Sequence, residues 1–123
     1  MQNPQESGRR NLTKPPDVLE SIVEAVDFSS EAIRVTLGAR VQGSNVFVLR
    51  DYLFRLIEEN GARPFILEIG RLNFIDSQGL GLLLMLHKTC RKKAGKLVVL
   101  AGRNIGLRKI LKQTRLDQIL TIE

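Results

Sequence analysis

Two short apolar runs on either side of one apolar helix-forming stretch restrict this chain more than any other feature. Phe65-Ile66-Leu67-Glu68-Ile69 and Leu97-Val98-Val99-Leu100-Ala101 have strand length and near-continuous hydrophobicity, which predicts strands covered on both faces within a parallel sheet. Between them, Ser77 to Ala94 reads as a helix that Gly95 closes. Parallel neighbours need a crossover connection, so strand, helix, strand commits this half of the chain to a layered α/β architecture.

The first half feeds the same sheet. Val18, Ile22, Val23 and Val26 lie among polar residues and Ile33, Val35 and Leu37 alternate strictly, which predicts an opening hairpin turning across Asp27-Phe28-Ser29-Ser30. Val46, Leu49, Leu53, Leu56 and Ile57 keep helical spacing, Asp51 and Arg55 stand one turn apart, and Asn60-Gly61 supplies a stop. Near the end, Asn104 can cap a helix with Leu107, Ile110 and Leu111 facing inward, and Ile119 to Ile122 offers a short last strand. The expectation is one α/β domain over residues 17–123, a mixed sheet of about four to five strands opened by a hairpin, with about three helices packed against it. Residues 1–16 are polar, include Pro4, Pro15 and Pro16, and read as a flexible N-terminal tail.

Composition removes several function classes. The longest apolar stretch, Gly79 to Leu86, falls short of the roughly 20 residues of a membrane-spanning helix, and the N-terminus has no apolar signal core. The expected location is therefore the cytoplasm, with no membrane span. One cysteine, Cys90, allows neither an internal disulfide nor a metal pair and reads as a buried apolar residue. The glycines form no phosphate-binding or dinucleotide fingerprint, and the carboxylates form no cage, so neither cofactor nor metal is expected. The net charge of +6 and isoelectric point near 10.0 favour anionic partners at long range. Nucleic acid is an unlikely partner all the same, because the few aromatic residues are not interleaved with the basic clusters at Arg91-Lys92-Lys93-Lys96 and Arg103 to Arg115.

The chemistry concentrates where the first of these strands hands over to the helix. Asp76 reads as the N-cap and Ser77 as the first helical residue, so its hydroxyl stands beside backbone N–H groups that have no partners within the helix. A hydrolytic nucleophile would need a Gly-x-Ser-x-Gly elbow and a nearby base. The flanks of Ser77 differ from that pattern, and His87, the single histidine, lies roughly 15 Å further along the helix at 1.5 Å per residue. His87 reads as a packed or half-buried helix residue. What remains at Ser77 is a site to be modified and recognised rather than an enzyme centre.

Leu72-Asn73-Phe74-Ile75-Asp76-Ser77-Gln78-Gly79-Leu80-Gly81, between an apolar strand and a long helix, resembles the signature of the STAS family, and the element order from about Asp17 to Glu123 is similar to that family's fold. The resemblance is nearest to stand-alone bacterial anti-sigma factor antagonists. It implies a non-enzymatic protein that binds an anti-sigma factor with serine protein kinase activity and is switched off by phosphorylation of Ser77, with a serine phosphatase as a possible reversing partner. It also implies a partner-binding surface of Asp76, Ser77, Gln78, Gly79, Leu80 and Gly81, joined by Gly43, Ser44, Arg103 and Asn104. Where many relatives carry Gly-x-Leu-Asp, this chain reads Gly38-Ala39-Arg40-Val41 and offers no acid. Two alternatives stay open on the residues alone: an unswitched scaffold module in a signalling or transport assembly, and a small basic nucleic-acid binder.

Overall fold

A computed structural model describes residues 15–41, 43–60 and 62–123; the tail expected over residues 1–16 therefore lies almost entirely outside the described residues, as does Gly61. The chain opens with a 3-10 turn at Asp17–Leu19 and then forms β1 (Val23–Phe28) and β2 (Ile33–Leu37). These pair antiparallel as the expected hairpin, with a register shift between Val23 and Ala25. Two boundaries differ from expectation. The segment before Val23 is not strand: Leu19 N–H donates to Pro16 O at 2.8 Å, and the resulting turn buries both Leu19 and Ile22. The hairpin turn starts at Ser29, whose Oγ accepts from the N–H groups of Glu31 and Ala32, so Asp27 and Phe28 stay in the strand.

The remaining elements are β3 (Arg40–Val41), α1 (Asn45–Asn60), β4 (Phe65–Glu68), β5 (Phe74–Ile75), α2 (Ser77–Lys92), β6 (Leu97–Leu100), α3 (Ile105–Gln113), a 3-10 turn at Leu116–Gln118, and β7 (Thr121–Ile122). The main sheet runs β1-β2-β4-β6-β7, antiparallel at its first pair and parallel thereafter. Its parallel strands advance in one direction only, and right-handed crossovers that never reverse place α1, α2 and α3 on the same face. The core forms there, with Ile33, Val35, Phe65, Leu67, Leu97 and Val99 from the strands against Leu49, Leu53, Leu86 and Leu111 from the helices.

This layering corrects the expectation that β4 and β6 are covered on both faces. Along each strand buried and half-buried residues alternate, and Ile66, Val98 and Leu100 lie on the second face, outside the packed core. On that face Arg34 and Glu68 form an ion pair with Nη2 and Oε2 2.6 Å apart.

Local details follow from side-chain chemistry. Asp51 pairs with its neighbour Arg50 rather than with Arg55, and the Arg50 guanidinium lies over the Phe47 ring. The end of α2 falls at Lys92, with Ala94 in the left-handed position expected of a glycine and Gly95 N–H donating to Cys90 O at 2.8 Å. His87 is half-buried, while Cys90 is buried and burial pushes its thiol up to about 11, so it stays a protonated apolar filler. Among the described residues no helix is long and apolar enough to cross a membrane.

Candidate functional site

The N-termini of all three helices follow the C-terminal ends of β2, β4 and β6, so they gather along one edge of the sheet. The loops that lead into the helices converge at this edge. Asp76 adopts extended backbone geometry and caps α2, its Oδ1 accepting from Gly79 N–H at 2.9 Å. Its second oxygen accepts from Gly43 N–H over a longer 3.4 Å, which ties the Gly43–Ser44 turn ahead of α1 to the start of α2. Gly43 reaches this contact with φ of +65°, a left-handed conformation that a side chain would strain.

Ser77 is exposed, and its hydroxyl makes no hydrogen bond among the described residues. The N–H groups of Ser77 and Gln78 likewise have no partner there, whereas those of Gly79 and Leu80 are taken by the side chain and carbonyl of Asp76. No acidic residue occupies the first turn of α2, so the positive end of its dipole meets only the cap carboxylate.

The two glycines of the motif do different work. A methyl on Gly79 would meet Ile75 Cγ1 at 2.6 Å and Val41 O at 3.3 Å, so glycine here lets the helix settle onto the small parallel ladder of β3 and β5. Around Gly81 there is open space. We expect Gly79→Ala to lose about 1–3 kcal/mol through overpacking and Gly81→Ala to gain about 0.5–1 kcal/mol of helix stability. Paired urea titrations check both, and equal effects at the two positions would refute the distinction.

A model of the STAS domain matches residues 21–123. The chain belongs to the STAS family. Its fold is shared with an anti-sigma factor antagonist from Mycobacterium paratuberculosis, with 18% identity over 84% of this chain and 86% of that one and a TM-score of 0.69. It also resembles a candidate anti-sigma factor antagonist from Thermotoga maritima, 18% identical over 80% of this chain and 83% of that one, TM-score 0.71. A third similar structure is the Bacillus cell-fate determinant SpoIIAA in its phosphorylated form, 21% identical over 80% of this chain and 89% of that one, TM-score 0.62.

Within this STAS domain the expected site residues fall into two connected groups. Asp76 through Gly81 meets Gly43–Ser44 directly, and Leu80 turns partly inward against the core. Arg103 and Asn104 approach from the other side, where Gly70, Leu72, Phe74, Ile75 and the start of α3 line an open cleft of about 470 Å³. Arg103 is exposed, but Asn104 is half-buried and its side chain is fully engaged. Its Oδ1 caps α3 at Leu107 N–H (3.0 Å), and its Nδ2 donates to Gly70 O (3.1 Å) and Leu72 O (2.7 Å). Asn104 therefore fastens the loop that delivers Asp76.

Sequence reasoning missed the β3–β5 ladder and with it Arg40 and Phe74, which are paired in register and both exposed. Two residues are too few for a periodic pattern. The available signal was Phe74 itself, a large apolar residue two positions before the cap.

Proposed function

We propose that this STAS protein is an anti-sigma factor antagonist acting in the cytoplasm without catalysis of its own. It docks an anti-sigma factor that is also a serine kinase, frees the sigma factor for transcription, and is switched off when that partner phosphorylates Ser77. A serine phosphatase resets it. The domain responsible spans residues 17–123, with residues 1–16 as an appended tail.

The observation that carries this reading is the Ser77 hydroxyl at the start of α2, exposed and without a hydrogen bond among the described residues, with two N–H groups beside it that likewise have no partner there. An incoming kinase would break no internal contact of that oxygen. A phosphate there adds about −1.5 to −2 charges and three acceptor oxygens, which the helix N-terminus tolerates in the free protein. In a docked interface the same group costs desolvation and repels facing carboxylates. The molecule as a whole would change only from +6 to about +4, so the switch works through the contact and not through net charge.

The test is incubation of the purified chain with each anti-sigma-factor kinase of its host and radiolabelled ATP. One of them should place phosphate on Ser77 and none on Ser77→Ala. Phosphate confined to another residue, or no incorporation by any of these kinases, overturns the switch and leaves an unswitched interaction module.

A further inference from the structure

Three of the exposed large apolar side chains, Phe47, Phe74 and Ile105, are 50%, 48% and 80% exposed and stand at the edge that presents Ser77. Each is accompanied by an arginine. The Arg50 guanidinium lies 5.3 Å above the Phe47 ring, Arg40 is the register partner of Phe74, and Arg103 precedes Ile105 by two positions and lines the same cleft as Phe74. The surface is continuous, because Phe47 N–H donates to Ser44 O, Gly43 N–H donates to Asp76, and Phe74 leads into Asp76 through Ile75.

Carboxylates border it: Glu24, near the start of β1 beside Gly38, pairs with Arg71 at 2.7 Å, and Glu123 follows β7 next to Ala101. Arg50 shares Asp51, but Arg40 and Arg103 have no ion pair among the described residues. Of the residues in the three loops of this edge, Asp76 is the sole carboxylate, and its oxygens are already bound to the N–H groups of Gly79 and Gly43. Polyanions would prefer the opposite end, where α2 and α3 finish among Arg91, Lys92, Lys93, Lys112 and Arg115 and no large aromatic intervenes. Apolar anchors alternating with unpaired guanidinium groups suit a folded protein face, where each anchor fills a recess and each arginine meets a carboxylate in two-pronged geometry.

We infer that the partner protein meets the Ser77 edge with an acidic surface, supplying carboxylates to Arg40 and Arg103 and apolar recesses to Phe47 and Phe74. This rests on the reading that the Ser77 edge is the docking surface. It also gives the switch its sign, since a phosphate at Ser77 would enter a field of facing carboxylates.

The experiment places the photocrosslinker p-benzoylphenylalanine at position 74 of the full chain in host cells and maps the adducts by mass spectrometry. The same chain is then compared with Arg40→Glu plus Arg103→Glu, and with Lys92→Glu plus Lys93→Glu, which changes net charge equally at the far end. Adducts should fall in protein segments with an excess of Asp and Glu. Reversal at the edge should reduce them at least about tenfold, Arg40→Lys plus Arg103→Lys should reduce them less because lysine keeps the charge and loses the two-pronged contact, and far-end reversal should leave them nearly unchanged. Circular dichroism melts verify that each variant folds. Adducts on an anti-sigma-factor kinase in a segment without acidic excess, or equal loss from both reversals, overturn the inference and leave the docking reading standing. Adducts on a second copy of this chain, on lipid or on nucleic acid, or no adducts at all, overturn both.

Discussion

Asn104→Asp is expected to cost about 3 kcal/mol of stability, more than Asn104→Ala, although aspartate caps a helix as well as asparagine does. The reason lies in the other half of the amide. Nδ2 donates to the carbonyls of Gly70 and Leu72, and aspartate would put an oxygen, and a charge, against two acceptors that have no alternative donor among the described residues. Alanine removes the cap and both donations but adds no repulsion, so a loss of about 2 kcal/mol is expected from it. A residue serving only as a cap would reverse this order, with aspartate near neutral. Urea unfolding of the two variants separates the cases. A second consequence reaches the site: with the 70–72 loop unfastened, Phe74 and Asp76 lose their position, so docking should weaken under conditions where each variant is still folded.

Much of this was legible in the chain because it is locally encoded. Helical spacing in Val46 to Ile57 placed α1, and the side chains of Asp76 and Asn104 marked two helix starts that the structure caps at those residues. Alternation in Ile33, Val35 and Leu37 gave the hairpin's second strand. What failed to show was set by partners distant in sequence. Ile66, Val98 and Leu100 are as apolar as their buried neighbours, so hydrophobicity alone suggested cover on both faces; the single winding direction of the sheet decided otherwise. Arg50 was hidden for a related reason, since Asp51 had a well-spaced partner in Arg55 and only the position of the Phe47 ring favours its neighbour. The clamp role of Asn104 needs the 70–72 loop beside it, which no local pattern predicts. At the site, the motif pointed to the residues around Ser77 and the family resemblance to Arg103, whereas Arg40 and Arg50 lie in β3 and α1, outside both.

Ser77→Asp is expected to move stability and docking in opposite directions. In the isolated protein a carboxylate enters a helix first turn that holds no acidic residue, next to two N–H groups without partners among the described residues, and should add about 0.3–1 kcal/mol. Repulsion from the cap carboxylate of Asp76 opposes this, but that group already spends its oxygens on Gly79 and Gly43. Against the proposed partner, the same carboxylate would be desolvated opposite acidic groups, and a loss of at least about 2 kcal/mol, or roughly 30-fold in affinity, should follow. Ser77→Ala should bind as tightly as the unmodified chain and ignore the kinase. Thermal melts and calorimetric titration with the partner measure the two quantities on the same preparations. A variant damaged in its fold would lose both, and a serine that merely starts a helix would gain stability with docking unchanged. Only a hydroxyl lying within the contact gives a higher melting temperature together with a weaker complex.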